Sequence, residues 1–321
     1  MVSEILASAH LTTSMYGRMD LGAPWRIGLP ASGTLSFYVV ARGGGWVQVA
    51  GTIPEGPHGP AQPYPPVALS AGDILLLPRG QAHWLVDHPS TKTAPLELDH
   101  QACPRPWIGD HAVFGGDGPV TSLVIGHFRF GGSAAGNPLL GTFPAILHIP
   151  ASAAVPGSPL AGIMPLILGE SAAPGPGSNI VLARLADLLL IHALRYWIAN
   201  AGAHTCGLHA VVNPNIGRAL RLIHARPAES WTVDSLAQSV DMSRSAFSAL
   251  FTRLVGEPPL MYVTRWRMTQ AALRLEASEE SVATVAEHVG YANPVAFAKA
   301  FTRVQGVGPG AWRRQHRTTA P

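Results

Sequence analysis

Cysteine is nearly absent: Cys103 and Cys206 are the only two in the chain. Two distant thiols build no disulfide framework, and without a CxxC pair there is no thiolate zinc knuckle. Both thiols read as reduced and inert, with redox sensing as the alternative. Long hydrophobic runs are also missing. No stretch approaches the ~20 apolar residues of a membrane span. The most apolar helical segment, near Leu182 to Ile198, is interrupted by Arg184, Asp187, His192 and Arg195. The first residues, MVSEILASAH, lack the basic and apolar regions of a secretory signal. These absences lead us to expect a soluble cytoplasmic protein with no membrane partner.

Charged residues are sparse at 13%, whereas 47% of residues are hydrophobic, enough for real cores. With 34 Gly and 29 Pro, the composition fits compact, turn-rich structure. A length of 321 residues suggests two domains. The charge is uneven. From Asn215 onward, 13 Lys/Arg face 8 Asp/Glu, a net of +5; the first 214 residues hold 9 against 11, a net of −2. The C-terminal end is therefore the candidate to bind a polyanion. All but one of its cations are Arg, which makes bidentate bonds to phosphate or guanine.

Residues 1–150 read as β. Leu35–Ala41, Trp46–Val49, Asp73–Leu77, His83–Val86 and Thr121–Phe130 are apolar runs separated by Gly, Pro and Asp, the pattern of a sandwich or barrel. Pro54–Pro66 reads as a loop. Residues 151–207 form a helical region, with a turn-rich break at 171–179, a helix over 180–199 and a linker at 201–207. That helix carries a wide apolar face, so it packs on the β domain or on a second copy of the chain. Residues 208–321 are purely helical. Asn213-Pro214, Thr232, Ser243, Pro258-Pro259, Ser281, Asn293-Pro294 and Pro309 open seven helices in about a hundred residues, with Gly256, Gly290 and Gly306 among the stops.

Two segments of this region repeat. Residues 231–262 align with 280–312, pairing Leu236 with Val285, Ala237 with Ala286 and Val240 with Val289. After a one-residue offset, Phe247 pairs with Phe297, Phe251 with Phe301, Gly256 with Gly306 and Pro259 with Pro309. Each repeat has a short helix with a small residue at the close approach, a tight turn, and a second helix anchored by two Phe four residues apart. That is the helix-turn-helix pattern, with the opposite face of the second helix left for a DNA groove. A plain helical bundle is the rival reading.

The residues Arg267-Met268, Ala271-Ala272, V-x-x-V-A (282–286), Gly290-Tyr291, Phe297, Phe301, Gly306 and Pro309 resemble the signature of the AraC/XylS family, and the resemblance runs over 214–316. Gly308 departs from it, standing where the family usually has a Ser or Thr cap. The resemblance implies a rigid connector helix, Pro259–Glu276, holding two recognition helices in successive major grooves about 34 Å apart. Mapped here, it nominates Arg244, Ser245, Ser248 and Ala249 in the first recognition helix, and Asn293, Pro294, Val295, Ala298 and Lys299 in the second. Arg253, Arg303, Arg313 and Arg314 are phosphate candidates. The implied partners are double-stranded DNA, and RNA polymerase if the protein is an activator like most of the family; a homodimer is expected through the helix over 180–199.

Farther upstream, SAGDILLLPRGQAHWLVD (70–87) resembles the second motif of cupins. With FYVVARG (37–43) and GHFRF (126–130), residues 1–200 resemble the cupin-type sensor of one AraC sub-branch. Tyr38 stands where relatives carry a metal-binding His, so a three-ligand cupin metal site is not expected, and no cofactor is. Tyr38, Trp46, His83, Trp84 and His127 are instead candidates to line a pocket for a small-molecule effector. Relatives often carry a Cys where this chain has Ile125. The expected fold is thus an all-β cupin-like barrel with helices, followed by an all-α double helix-turn-helix. The expected function is a DNA-binding regulator, not an enzyme. The alternatives are a cupin enzyme with a DNA-binding tail and a ligand-independent DNA binder.

Overall fold

A computed structural model describes residues 12–32, 34–53, 62–97, 107–108, 111–129, 144–200, 210 and 213–317. The expected linker at 201–207, both cysteines and most of the loop at 54–66 lie outside these residues. The chain divides into two compact units, one of them containing residues 13–129 and 145–200, the other the helices from residue 201 on.

The first unit is β-rich. Its strands are β1 (Thr12–Gly22), β2 (Arg26–Leu29), β3 (Leu35–Arg42), β4 (Gly44–Val49), β5 (Thr52–Ile53), β6 (Gln62–Pro63), β7 (Val67–Ser70), β8 (Ile74–Leu77), β9 (His83–Val86), β10 (Leu96–Glu97), β11 (Trp107–Ile108), β12 (His111–Gly115), β13 (Val120–Arg129) and β14 (Leu147–Ile149). A seven-stranded sheet runs β11-β12-β1-β13-β3-β8-β14, and a five-stranded sheet runs β10-β2-β9-β4-β7. Together they enclose one core that includes Tyr38, Val40, Val47, Leu75, Leu77, Leu85 and Ile125.

Strand β3 shows why a second layer is needed. Its first six residues are all buried, so both faces are covered. Tyr38 and Val40 face the barrel core, while Phe37 points the other way and meets Phe128 with ring centroids 5.2 Å apart. The outer cover is helical: α1 (Pro159–Ala172) packs against α2 (Ser178–Asn200), and α2 lies on β14. Helix α1 has no sequence signal of its own, because Gly162, Pro165 and Gly169 break its periodicity. Ser158 caps its start by accepting from the Ala161 amide at 3.3 Å.

Asp73, in the turn before β8, ties the sheet to this helical region. Its carboxylate accepts from the amides of Ser70 (2.9 Å) and Ala151 (2.8 Å) and lies 2.8 Å from His148 Nε2. The acidic residue of the cupin-like motif is therefore a structural staple.

The second unit contains α3 (Pro214–Ala225), α4 (Val233–Ser239), α5 (Arg244–Val255), α6 (Pro259–Ala277), α7 (Val282–His288), α8 (Pro294–Gln305) and α9 (Pro309–Arg317). These are the seven helices expected, and their ends follow local chemistry. Thr232 and Ser235 form a reciprocal capping box on α4, with both bonds at 3.0 Å. Ser243, Ser281 and Asn293 cap α5, α7 and α8. Gly256 and Gly306 end α5 and α8 in the left-handed region, with φ of 89° and 81°.

Candidate nucleic-acid interface

Helices α4–α5 and α7–α8 are the two repeats in three dimensions. In the first, Phe247 and Phe251 are fully buried, 5.5 Å apart, and Phe251 meets Tyr262 of α6 edge-on at 5.7 Å. In the second, Phe297 and Phe301 are 5.7 Å apart, and Phe301 meets Trp312 of α9 at 6.0 Å. Trp312 Nε1 also donates to Glu276 Oε1 at 3.0 Å. Trp312 thus holds α9 in place although Gly308 offers no side-chain cap. The small residues Ala237 and Ala286 are buried at the helix crossings, as expected.

With the Phe pairs turned inward, helical spacing turns the other face outward. Arg244, Ser245, Ala249 and Arg253 are exposed on α5, and Ser248 is half-buried. On α8, Pro294, Val295, Lys299 and Arg303 are exposed and Ala298 is half-buried. Val295 is 64% exposed, unusual for a β-branched residue inside a packed domain. Ala246 and Ala296, in the first turns of the same helices, are exposed as well. Sequence reasoning overlooked them, although each directly precedes a core Phe.

Some nominated side chains are already engaged. Arg244 Nη1 lies 3.3 Å from Asp234 Oδ2, with both side chains more than half exposed, so the pair is weak and exchangeable. The Asn293 carboxamide oxygen accepts from the amides of Val295 (2.8 Å) and Ala296 (3.3 Å). As a cap, Asn293 cannot also present that oxygen to adenine. Arg313 donates to the Leu275 carbonyl at 3.4 Å and the Glu280 carbonyl at 2.5 Å, tying α9 to the α6–α7 turn. Arg314 is exposed.

The effector candidates separate. Tyr38 Oη and His83 Nε2 are 2.6 Å apart, and His83 Nδ1 lies 2.8 Å from the Gln81 carbonyl. Both imidazole nitrogens are therefore occupied, which leaves no lone pair for a metal unless the phenol or the carbonyl is displaced. His127 pairs with Ser36 across β13 and β3, on the same face as Tyr38. Ser36 is 1% exposed, and its hydroxyl has no partner among the described residues. Trp46 and Trp84 lie on the other face. Successive strand residues alternate, and the register places Val49 opposite the inward His83 and Gln48 opposite Trp84. Arg26 sits 5.7 Å from the Trp84 ring on that outer side. Among the described residues, no three His, Cys, Asp or Glu side chains converge.

Ser122, Asp20 and His111 have the composition of a catalytic triad but not its order. Asp20 lies between the other two, accepting from the Ser122 hydroxyl and lying 2.8 Å from His111 Nε2. A nucleophile needs its base beside it, and here the carboxylate separates them.

Paired helix-turn-helix motifs, each with an exposed outer face, following cupin-like strands in the sequence, define a DNA-binding transcription regulator. Residues 1–199 match the Cupin family and residues 236–315 the Helix-turn-helix domain family. An AraC-like transcription regulator of Streptomyces lividans is 32% identical over 95% of this chain and 94% of its own length. The RCS-specific HTH-type transcriptional activator RclR of Escherichia coli is 29% identical over 79% of each chain. Among solved structures, the DNA-binding domain of AdpA in complex with a target DNA is 33% identical, over 33% of this chain and 95% of that one, at a TM-score of 0.32. The chain belongs to the AraC-like family of transcription regulators.

Proposed function

We propose that this regulator is a ligand-responsive activator whose second helix-turn-helix carries most of the base discrimination. The inequality of the two outward faces supports this reading. On the outward face of α5, Ser245, Ser248 and Ala249 are short, and the one long donor near the helix start, Arg244, must first exchange its weak pair with Asp234. On α8, Val295 and Lys299 are exposed four residues apart. Lys299 suits guanine O6/N7, and Val295 suits a thymine methyl group. Arg253, Arg303 and Arg314 suit phosphates, which position the protein without reading sequence.

The test compares operator and random duplexes, with the operator found by mapping bound genomic sites. Lys299→Ala should weaken the operator by about 1–3 kcal/mol and leave random DNA much less affected. Arg314→Ala should weaken both alike and lower the salt slope by about one. Equal losses on both DNAs for Lys299→Ala would refute base reading by that residue.

The effector reading narrows to the barrel interior. Tyr38, His83, His127 and Ser36, whose hydroxyl has no partner among the described residues, place polar groups within an apolar wall, the setting of a small polar organic ligand that exchanges with the Tyr38–His83 bond. A ligand held there should raise the melting temperature and change operator affinity together. Ligands that shift neither favour the ligand-independent binder. Ile125, 3% exposed, leaves no thiol at that strand position for an oxidant to modify. Activation, rather than repression, is supported by the activator named among the relatives. A reporter that rises when the gene is deleted would reverse the sign.

Helix α2 supports homodimerisation. It buries Leu182, Leu189, Leu190 and Leu194, yet leaves Ile180, Val181 and Leu188 at 69%, 43% and 46% exposed. This second apolar stripe suits a second copy of the chain. Leu188→Glu should shift sedimentation from dimer to monomer.

A further inference from the structure

The connector helix α6 serves two cores in sequence. Tyr262, Val263 and Trp266 are buried in its first half, near Phe251 of the first motif and His224 of α3. Met268, Ala271, Ala272 and Leu275 belong to the core of the second motif, with Phe297, Phe301 and Trp312. Arg267 sits at the junction and turns sideways. Its Nε donates to the Pro227 carbonyl and its Nη2 to the Glu229 carbonyl, both at 2.7 Å. Its guanidinium carbon lies 5.7 Å from the centre of the Tyr291 ring.

These contacts join the two motifs away from the connector axis. Residues 226–231 form one tight turn, closed by a bond from Trp231 Nε1 to the Arg226 carbonyl at 2.9 Å and by an Arg226–Glu229 ion pair at 3.1 Å. That turn runs straight into Thr232, the cap of α4. On the other side, Tyr291 meets Phe297 edge-on at 5.8 Å, at the root of α8. Gly290 brings the backbones together. Its φ is +82°, and a Cβ there would stand 2.5 Å from the Ala228 carbonyl oxygen and 2.9 Å from Ala228 Cα. Contacts at two separated points remove a bend or twist that one helix alone would allow.

We propose that Arg267, with Gly290 as its close-approach partner, is a positioning residue that locks α5 and α8 in one relative orientation, so that the protein accepts two half-sites at one spacing. The proposal rests on the reading that both helices enter DNA. Arginine suits the role because its planar fork serves two carbonyls while its face lies on an aromatic ring; lysine has neither property. One inserted base pair moves a half-site by ~3.4 Å and rotates it by roughly 35°. A locked pair cannot follow that displacement, and a loosened pair can.

The probe is a duplex selected from a random pool by the full-length wild-type chain, together with derivatives carrying one or two extra base pairs between the protected half-sites. Wild type should bind the lengthened duplexes at least roughly tenfold more weakly. Arg267→Ala and Arg267→Lys should bind the parent duplex more weakly but lose only about threefold on insertion. Gly290→Ala should act in the same direction with the arginine in place. If truncating the duplex to remove either half-site leaves wild-type binding intact, only one helix enters DNA, and the two-headed reading and the proposal fall together. If both half-sites matter but the variants keep the wild-type insertion penalty, the lock alone is overturned. For a variant that no longer holds DNA, spin labels at Arg253→Cys and Arg303→Cys, in a Cys103→Ser, Cys206→Ser background, measure the distance between the helices. A broadened distribution supports the lock, and one as narrow as the parent's overturns it.

Discussion

Acid should loosen the first helix-turn-helix through one histidine. His224 of α3 lies with its Nε2 2.7 Å from Tyr262 Oη and its ring 4.1 Å from that of Trp266. Burial pushes its pKa down to about 3, against an ordinary 6.5. Burial likewise raises the Tyr262 phenol, which stays protonated and can donate to a neutral imidazole. Because the folded pKa is depressed, the unfolded chain binds the proton first, and stability falls as pH drops from 6.5 toward 3. Between pH 7 and 5 this linkage removes about 2 kcal/mol. The figure barely depends on the folded pKa, since at pH 5 the folded imidazole remains almost wholly neutral. Hydrogen exchange in peptides covering α6, corrected for intrinsic rates, measures the loss in the full-length chain. His224→Phe keeps a ring against Trp266 and removes the titration. Its baseline stability will differ, but its protection should fall by about 2 kcal/mol less over the same interval. Equal pH slopes in the two proteins would refute the argument.

Other perturbations separate staples from reading groups. Phe297→Ala, at a fully buried site, should cost about 3–5 kcal/mol and abolish operator binding through unfolding of the second motif, read by calorimetry. Asp73→Ala strands the amides of Ser70 and Ala151 and should cost roughly 3 kcal/mol; Asp73→Asn, which keeps an acceptor, should cost less. Arg313→Ala should lower thermal stability, with little change in the salt slope of DNA binding, because its guanidinium is bonded to two carbonyls.

The helical unit was legible because its boundaries are local. Caps such as Thr232, Ser243 and Asn293, and stops such as Gly256 and Gly306, act within a few residues of themselves. The Phe pairs show which face is inward, and therefore which is outward. The barrel was harder to read. Strands β2, β7 and β14 have at most four residues each, too few for a period to emerge. Helix α1 hides behind its own Gly and Pro. The separation of His83 from Trp84 was available in advance, since consecutive strand residues point to opposite faces. The engagement of Arg313 and Arg267 with backbone carbonyls was not, because it depends on loops 33 to 40 positions away in sequence.

The division of labour on α5 and α8 has an evolutionary consequence. One side of each helix holds the domain together, and the other contributes little to that task. Residues 244, 245, 248 and 249, or 295, 298 and 299, can change identity while Phe247, Phe251, Phe297 and Phe301 keep the fold. On the proposed reading of these faces, such a scaffold can acquire new promoters through surface substitutions, each nearly silent for folding. Paralogues derived from it can therefore diverge in target long before they diverge in shape.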